Sequence, residues 1–130
     1  MKNLREANLS ISGKNVLITG ASRGIGRSLS IELSKLGANI ILLSKNESLL
    51  ENIYDEISDK TETDPSIIGC DLNLLDEPRS QEISNIISDN YINLDCIIHN
   101  AATIEKMSNI EEYDLVSWEK VMKINLTSSF

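Results

Sequence analysis

The chain is poor in positive charge: 12 lysines and arginines stand against 20 aspartates and glutamates, a formal net charge of −8. No basic cluster offsets that balance, and a nucleic-acid footprint requires the opposite sign. Apolar runs of membrane-spanning length are missing too, so no membrane span is expected. The opening residues, Met1-Lys2-Asn3-Leu4-Arg5-Glu6, contain no apolar h-region. A signal peptide is therefore not expected, and the cytoplasm is the default compartment. One histidine and two cysteines form no cluster with carboxylates at metal-ligand spacing, so no metal site is predicted. What is present is ordinary for a globular protein. A hydrophobic share of 41% argues against disorder, and 130 residues allow one domain at most, spanning 1–130.

Three of the six glycines fall within seven residues, in Val16-Leu-Ile-Thr-Gly-Ala-Ser-Arg-Gly-Ile-Gly26. Val16, Leu17 and Ile18 read as a strand buried on both faces. The run breaks at Thr19-Gly20, and Ile25, Leu29, Leu33 and Leu36 then repeat at helical spacing. The glycines thus occupy a strand-to-helix turn. The free N–H groups and positive dipole end of such a helix suit a phosphate or pyrophosphate. The spacing Gly20-x-x-x-Gly24-x-Gly26 differs from G-x-G-x-x-G. It is not a Walker A loop either, since Ala21 replaces its first glycine and Arg27 its lysine. A glycine-rich turn without a ligand is the plainer alternative.

Residues 1–13 read as a surface lead-in. After the first helix stops at Gly37, Ala38–Leu43 is predicted as a second strand. Asn46 caps a helix that buries Leu49, Leu50, Ile53 and Ile57. Ser66–Cys70 makes a third strand. Asp76-Glu77-Pro78 opens a helix with Ile83, Ile86 and Ile87 inward. Leu94–His99 is a fourth strand, and Ser117 is read as the N-cap of a last helix running to the chain end. Strands alternating with helices predict an α/β fold, a doubly wound parallel Rossmann-type sheet of order 3-2-1-4. Its ligand crevice lies at the carboxyl ends of strands 1 and 4. In that order the strands of Cys70 and Cys96 are three steps of about 4.8 Å apart, too far for a disulfide. Both are expected to be buried thiols.

Thr19-Gly20-x-x-x-Gly24-x-Gly26 resembles the cofactor loop of the short-chain dehydrogenase/reductase family. The resemblance extends from about Gly13 to Phe130. It implies cofactor contacts from Thr19, Gly20, Ser22, Arg23, Gly24, Ile25 and Gly26. At the end of the second strand a carboxylate selects NAD by holding the ribose hydroxyls. Here that place holds Ser44, followed by Lys45, with Arg23 as a second candidate cation. NADP(H) is therefore expected over NAD(H), unless both cations are merely solvated. Asp71 and Leu72 match the pair that the family sets against adenine, although Asp71 alone also suits a turn. His99-Asn100-Ala101-Ala102 is similar to the family's Asn-Asn-Ala-Gly, with Asn100, Ala101 and Ala102 beside the cofactor. Asn125, at i+7 from Trp118 on a stripe with Val121 and Met122, matches the asparagine of the family's catalytic tetrad. A chance polar residue on that stripe is the alternative reading.

The family also uses a serine and a Tyr-x-x-x-Lys, in which the lysine lowers the tyrosine pKa for proton exchange with the substrate oxygen. Tyr54, Tyr91 and Tyr113 are followed four residues on by Ser58, Asp95 and Ser117. The chain is thus expected to be the N-terminal half of an oxidoreductase acting on an alcohol or carbonyl. The whole protein is expected to be homo-oligomeric. The half alone is expected to be inactive and, with an open sheet edge, prone to aggregate. The second reading is a short non-catalytic dinucleotide-binding or interaction module.

Overall fold

Four parallel strands, β1 (Asn15–Thr19), β2 (Asn39–Ser44), β3 (Ser66–Gly69) and β4 (Cys96–Ile98), form one sheet of order β3-β2-β1-β4 in a computed structural model describing residues 10–130. The order is the expected one. Helices α1 (Gly24–Lys35), α2 (Glu47–Lys60), α3 (Glu77–Asn90) and α4 (Leu115–Asn125) connect or follow the strands. Of the lead-in, 1–9 lie outside the described residues. Ile11 is not a pure surface residue, because it packs against the core, and the Gly13 N–H donates to Gly37 O at 2.8 Å.

The side-chain period of two divides the strands between two cores. Val16, Ile18, Ile40 and Leu42 face one way, onto Ile31 of α1 and Leu50, Ile53 and Ile57 of α2. Leu17, Ile41 and Leu43 face the other, with Ile68, Cys70 and Ile83 of α3. Both faces are covered, which is why β1 and β2 read as unbroken apolar runs.

Helix α1 departs from the expected pattern. Leu29 and Leu33 pack against the core as expected, but Ile25 and Leu36 are exposed, and the fully buried line is Gly26, Ser30 and Ser34 with Ile31 beside it. Each serine hydroxyl donates to the carbonyl four residues back, Ser30 to Gly26 O and Ser34 to Ser30 O, both at 2.8 Å. Short, internally satisfied side chains let the helix lie close to the sheet, a solution that a search for leucine spacing misses. Leu49 and Ile86 likewise sit at the edges of their helices' buried stripes, partly exposed. Cys96 is exposed on β4 instead of buried, while Cys70 is buried, and both are free thiols. The cap of α4 is Asp114, not Ser117. Its carboxylate accepts from the Ser117 N–H at 2.9 Å and the Ser117 hydroxyl at 2.8 Å. An Asp and a Ser three residues apart compete for one cap, and the charged group at the earlier position takes it. The helix ends at Asn125, followed by a 3-10 turn at Thr127–Ser129.

Away from the carboxyl ends of the strands, a polar network fastens the sheet. Asp95 accepts from the Asn15 N–H and from Lys14 Nζ, both at 2.9 Å, and Asn39 Nδ2 donates to Asn15 Oδ1 at 2.9 Å. The Asn15 N–H, with Lys14 in support, holds the Asp95 carboxyl below the ordinary aspartate value. A carboxylate depressed only in the folded state adds stability above its unfolded pKa of about 4. That contribution is lost as pH falls through the lower folded value. The melting temperature is therefore expected to fall between roughly pH 5 and pH 3, and Asp95→Asn to flatten part of that slope. A slope identical in wild type and D95N would remove Asp95 from the account.

Candidate functional site

The turn from β1 into α1 is built around Thr19, Gly20 and Gly26. The Thr19 hydroxyl accepts the backbone N–H groups of Asn100 at 3.1 Å and Ala101 at 3.0 Å. Asn100 Nδ2 donates in return to Thr19 O at 3.0 Å and Gly20 O at 3.2 Å. The ends of β1 and β4 are thereby locked side by side. Gly20 has φ +65°, and a Cβ on it would meet Ala101 Cα at 2.8 Å. Only glycine combines that backbone angle with that approach.

Helix α1 differs from the other three at its N-terminus. Asn46, Asp76 and Asp114 each cap their helix with a side-chain oxygen. Arg23, at the same position of α1, makes no such bond. Its leading N–H groups are left to an external acceptor. Next to this helix end lies a cleft of about 450 Å³ at the carboxyl ends of the strands.

Ten of the expected residues line that cleft: Gly20, Ser22 and Arg23 from the loop, Ser44 and Lys45 after β2, Asp71 and Leu72 after β3, and Asn100, Ala101 and Ala102 after β4. Thr19, Gly24, Ile25, Gly26 and Asn125 are not among its lining residues. Thr19 and Gly26 instead set the shape of the wall, through the bonds above and through the closeness of Gly26 to Gly20 O and Asn100. Ile25 is exposed on α1. Asn125 reaches back to the loop after β4: its Oδ1 accepts from the Thr103 N–H at 2.8 Å and its Nδ2 donates to Thr103 O at 2.9 Å. The amide of Asn125 is thus bonded through both its oxygen and its nitrogen and fixes the end of α4 to that loop.

Ser44 Oγ donates to Ser22 Oγ at 2.9 Å, so the end of β2 and the glycine loop face each other as a pair of hydroxyls. Asp71 forms the turn considered for it, its Oδ1 accepting from the Asn73 N–H at 2.9 Å, and still borders the cleft. Burial pushes the Cys70 thiol up against a weaker pull from Arg79, which keeps it protonated at neutral pH. Three residues that the sequence did not single out join the site: Thr103, and Lys120 and Ile124 of α4. The motif at Asn125 drew attention to the end of α4, whereas the cleft meets the helix at Ile124, one residue before it, and at Lys120, about a turn earlier. No set of three His, Cys, Asp or Glu residues among the described residues is placed to hold a metal. No helix among them is long and apolar enough to cross a membrane.

Residues 14–130 match the profile of a family described as short chain dehydrogenase. The chain is 31% identical over 120 residues to the Escherichia coli uncharacterized oxidoreductase YciK, covering 92% of this chain and 48% of that protein. The same identity and coverage relate it to the NADPH-dependent pterin aldehyde reductase of Arabidopsis thaliana. Among solved structures, a short chain dehydrogenase from Shigella flexneri complexed with NADP superposes with a TM-score of 0.89 at 31% identity, covering 93% of this chain and 51% of that one. The chain spans about half the length of the curated relatives it matches.

Proposed function

The chain belongs to the short-chain dehydrogenase family, and on that premise we propose that it is the cofactor-binding part of an NADP(H)-dependent oxidoreductase acting on an alcohol or carbonyl. The observation that carries this reading is the uncapped start of α1, open beside a cleft lined by Arg23 and Lys45 with no carboxylate at Ser44. The first-turn N–H groups at Gly24, Ile25 and Gly26, with Gly20 and Ser22, hold the pyrophosphate. Ser44, Lys45 and Arg23 receive the 2′-phosphate, and Asp71 and Leu72 meet the adenine. Asn100, Ala101 and Ala102 line the wall that Thr19 fixes, and Asn125 positions the loop beyond it. A bound nicotinamide cofactor supplies hydride exchange with the substrate carbon. The NADP-complexed neighbour and the NADPH-dependent relative support the choice of cofactor.

No serine-plus-Tyr-x-x-x-Lys set of the family's kind was found among the 130 residues. The chain by itself therefore binds the cofactor without reducing a carbonyl. β4 is the end strand of the sheet, with Ile97 about half exposed on the face towards α3, and we infer that the remainder of the protein covers this surface. The whole protein is assigned to the cytoplasm as a homo-oligomer. Titration of the intact protein, read by nicotinamide fluorescence, is expected to show NADPH binding at least about tenfold tighter than NADH. Binding of neither nucleotide, or a preference for NADH, would overturn the assignment.

A further inference from the structure

Glu105, in the loop after β4, belongs to no motif read from the sequence; it does not itself line the cleft, but it is bound to two residues that do, Lys120 and Thr103. Its Oε1 lies 2.7 Å from Lys120 Nζ and accepts from the Thr103 hydroxyl at 3.3 Å. Thr103 is itself anchored by both groups of the Asn125 amide. Lys120 lines the same cleft as Lys45 and Arg23, so its partner carboxylate bears on the charge of the whole recess. Lys120 foremost, with Thr103 and Lys45 adding to it, holds the Glu105 carboxyl below the usual glutamate range. It is therefore ionised at neutral pH.

Resting on the NADP(H) reading, we propose that Glu105 is a specificity-determining residue, a resident anion that weakens binding of a 2′-phosphorylated nucleotide. It does so by occupying Lys120, which would otherwise add its positive charge to the cleft that Lys45 and Arg23 also line. Adenine and the 5′-phosphate side of the ligand carry no comparable penalty, because their groups meet Asp71, Leu72 and the start of α1. Glu105 in this role narrows the preference for NADP(H) without reversing it.

The test is calorimetric titration of the intact protein with adenosine 2′,5′-bisphosphate and, separately, with 5′-AMP. Glu105→Gln is expected to tighten the bisphosphate about 3- to 5-fold and leave 5′-AMP unchanged, as release of one solvent-screened cation into the cleft should. Raising the salt to about 0.5 M is expected to shrink the gain. Glu105→Asp keeps the charge and is expected to keep the wild-type ratio. If E105Q leaves the ratio unchanged, or E105D shifts it as much as E105Q, the proposal fails. Wild-type protein that binds neither nucleotide would defeat the cofactor reading itself, a separate outcome from either of these.

Discussion

Gly26→Ala is expected to lower the melting temperature by about 10 °C. A Cβ at this position would lie 2.5 Å from Asn100 Nδ2 and closer still to Gly20 O. Neither neighbour has room to yield. Gly20 is held at φ +65° against Ala101, and the Asn100 amide is spent on Thr19 O and Gly20 O. Overpacking commonly costs about 1–3 kcal/mol, and an obstacle of backbone and a fixed amide places this case near about 3 kcal/mol. For a chain of this size each kcal/mol moves the midpoint by roughly 3–4 °C. Gly24→Ala is the control. A Cβ there meets nothing within 4 Å, so only its φ of +56° opposes the change, at about 1 kcal/mol. Thermal melts of the two variants side by side separate crowding from backbone strain. Equal losses would mean that α1 can slide away from the β1–β4 junction.

That contrast also marks how far the sequence could be read. The strand order and the crevice were legible because β1 and β2 are covered on both faces and β4 had to return beside β1, as the Asn100 and Thr19 bonds show. The three glycines were legible as a turn, but their separate duties were not. Gly20 supplies an angle, Gly26 supplies space for Asn100, and Gly24 stands open. A spacing of glycines cannot tell these apart, because each duty depends on what a distant strand brings alongside. The face of α1 was half legible for a related reason: Leu29 and Leu33 do pack against the core, but the closest approach to the sheet is made by Gly26, Ser30 and Ser34, which hydropathy does not mark. Lys120 and Glu105 escaped notice because no local pattern records an ion pair 15 residues apart across a loop.

The second large effect concerns choice of cofactor. Ser44→Asp is expected to weaken NADPH binding by about 30-fold or more while leaving NADH no worse. Ser44 is buried at the carboxyl end of β2, and its hydroxyl faces Ser22 at 2.9 Å. A carboxylate there stands where the proposed 2′-phosphate must approach, in the cleft wall that Lys45 and Arg23 also line. Unit charges about 4 Å apart repel by about 4 kcal/mol at an effective dielectric near 20, and solvent at the open cleft reduces this to roughly half. With the 2′-phosphate absent, the same carboxylate gains hydrogen bonds from the ribose hydroxyls, so NADH is spared. Lys45→Ala removes attraction without adding repulsion, and is expected to lose NADPH by a smaller factor. The order S44D, K45A, wild type in increasing NADPH affinity, read by titration of each intact protein, follows from electrostatics at the end of β2. Loss of NADPH and NADH in equal measure in S44D would indicate instead that the buried charge had disordered the strand end. A preference untouched by either variant would place the 2′-phosphate elsewhere in the cleft.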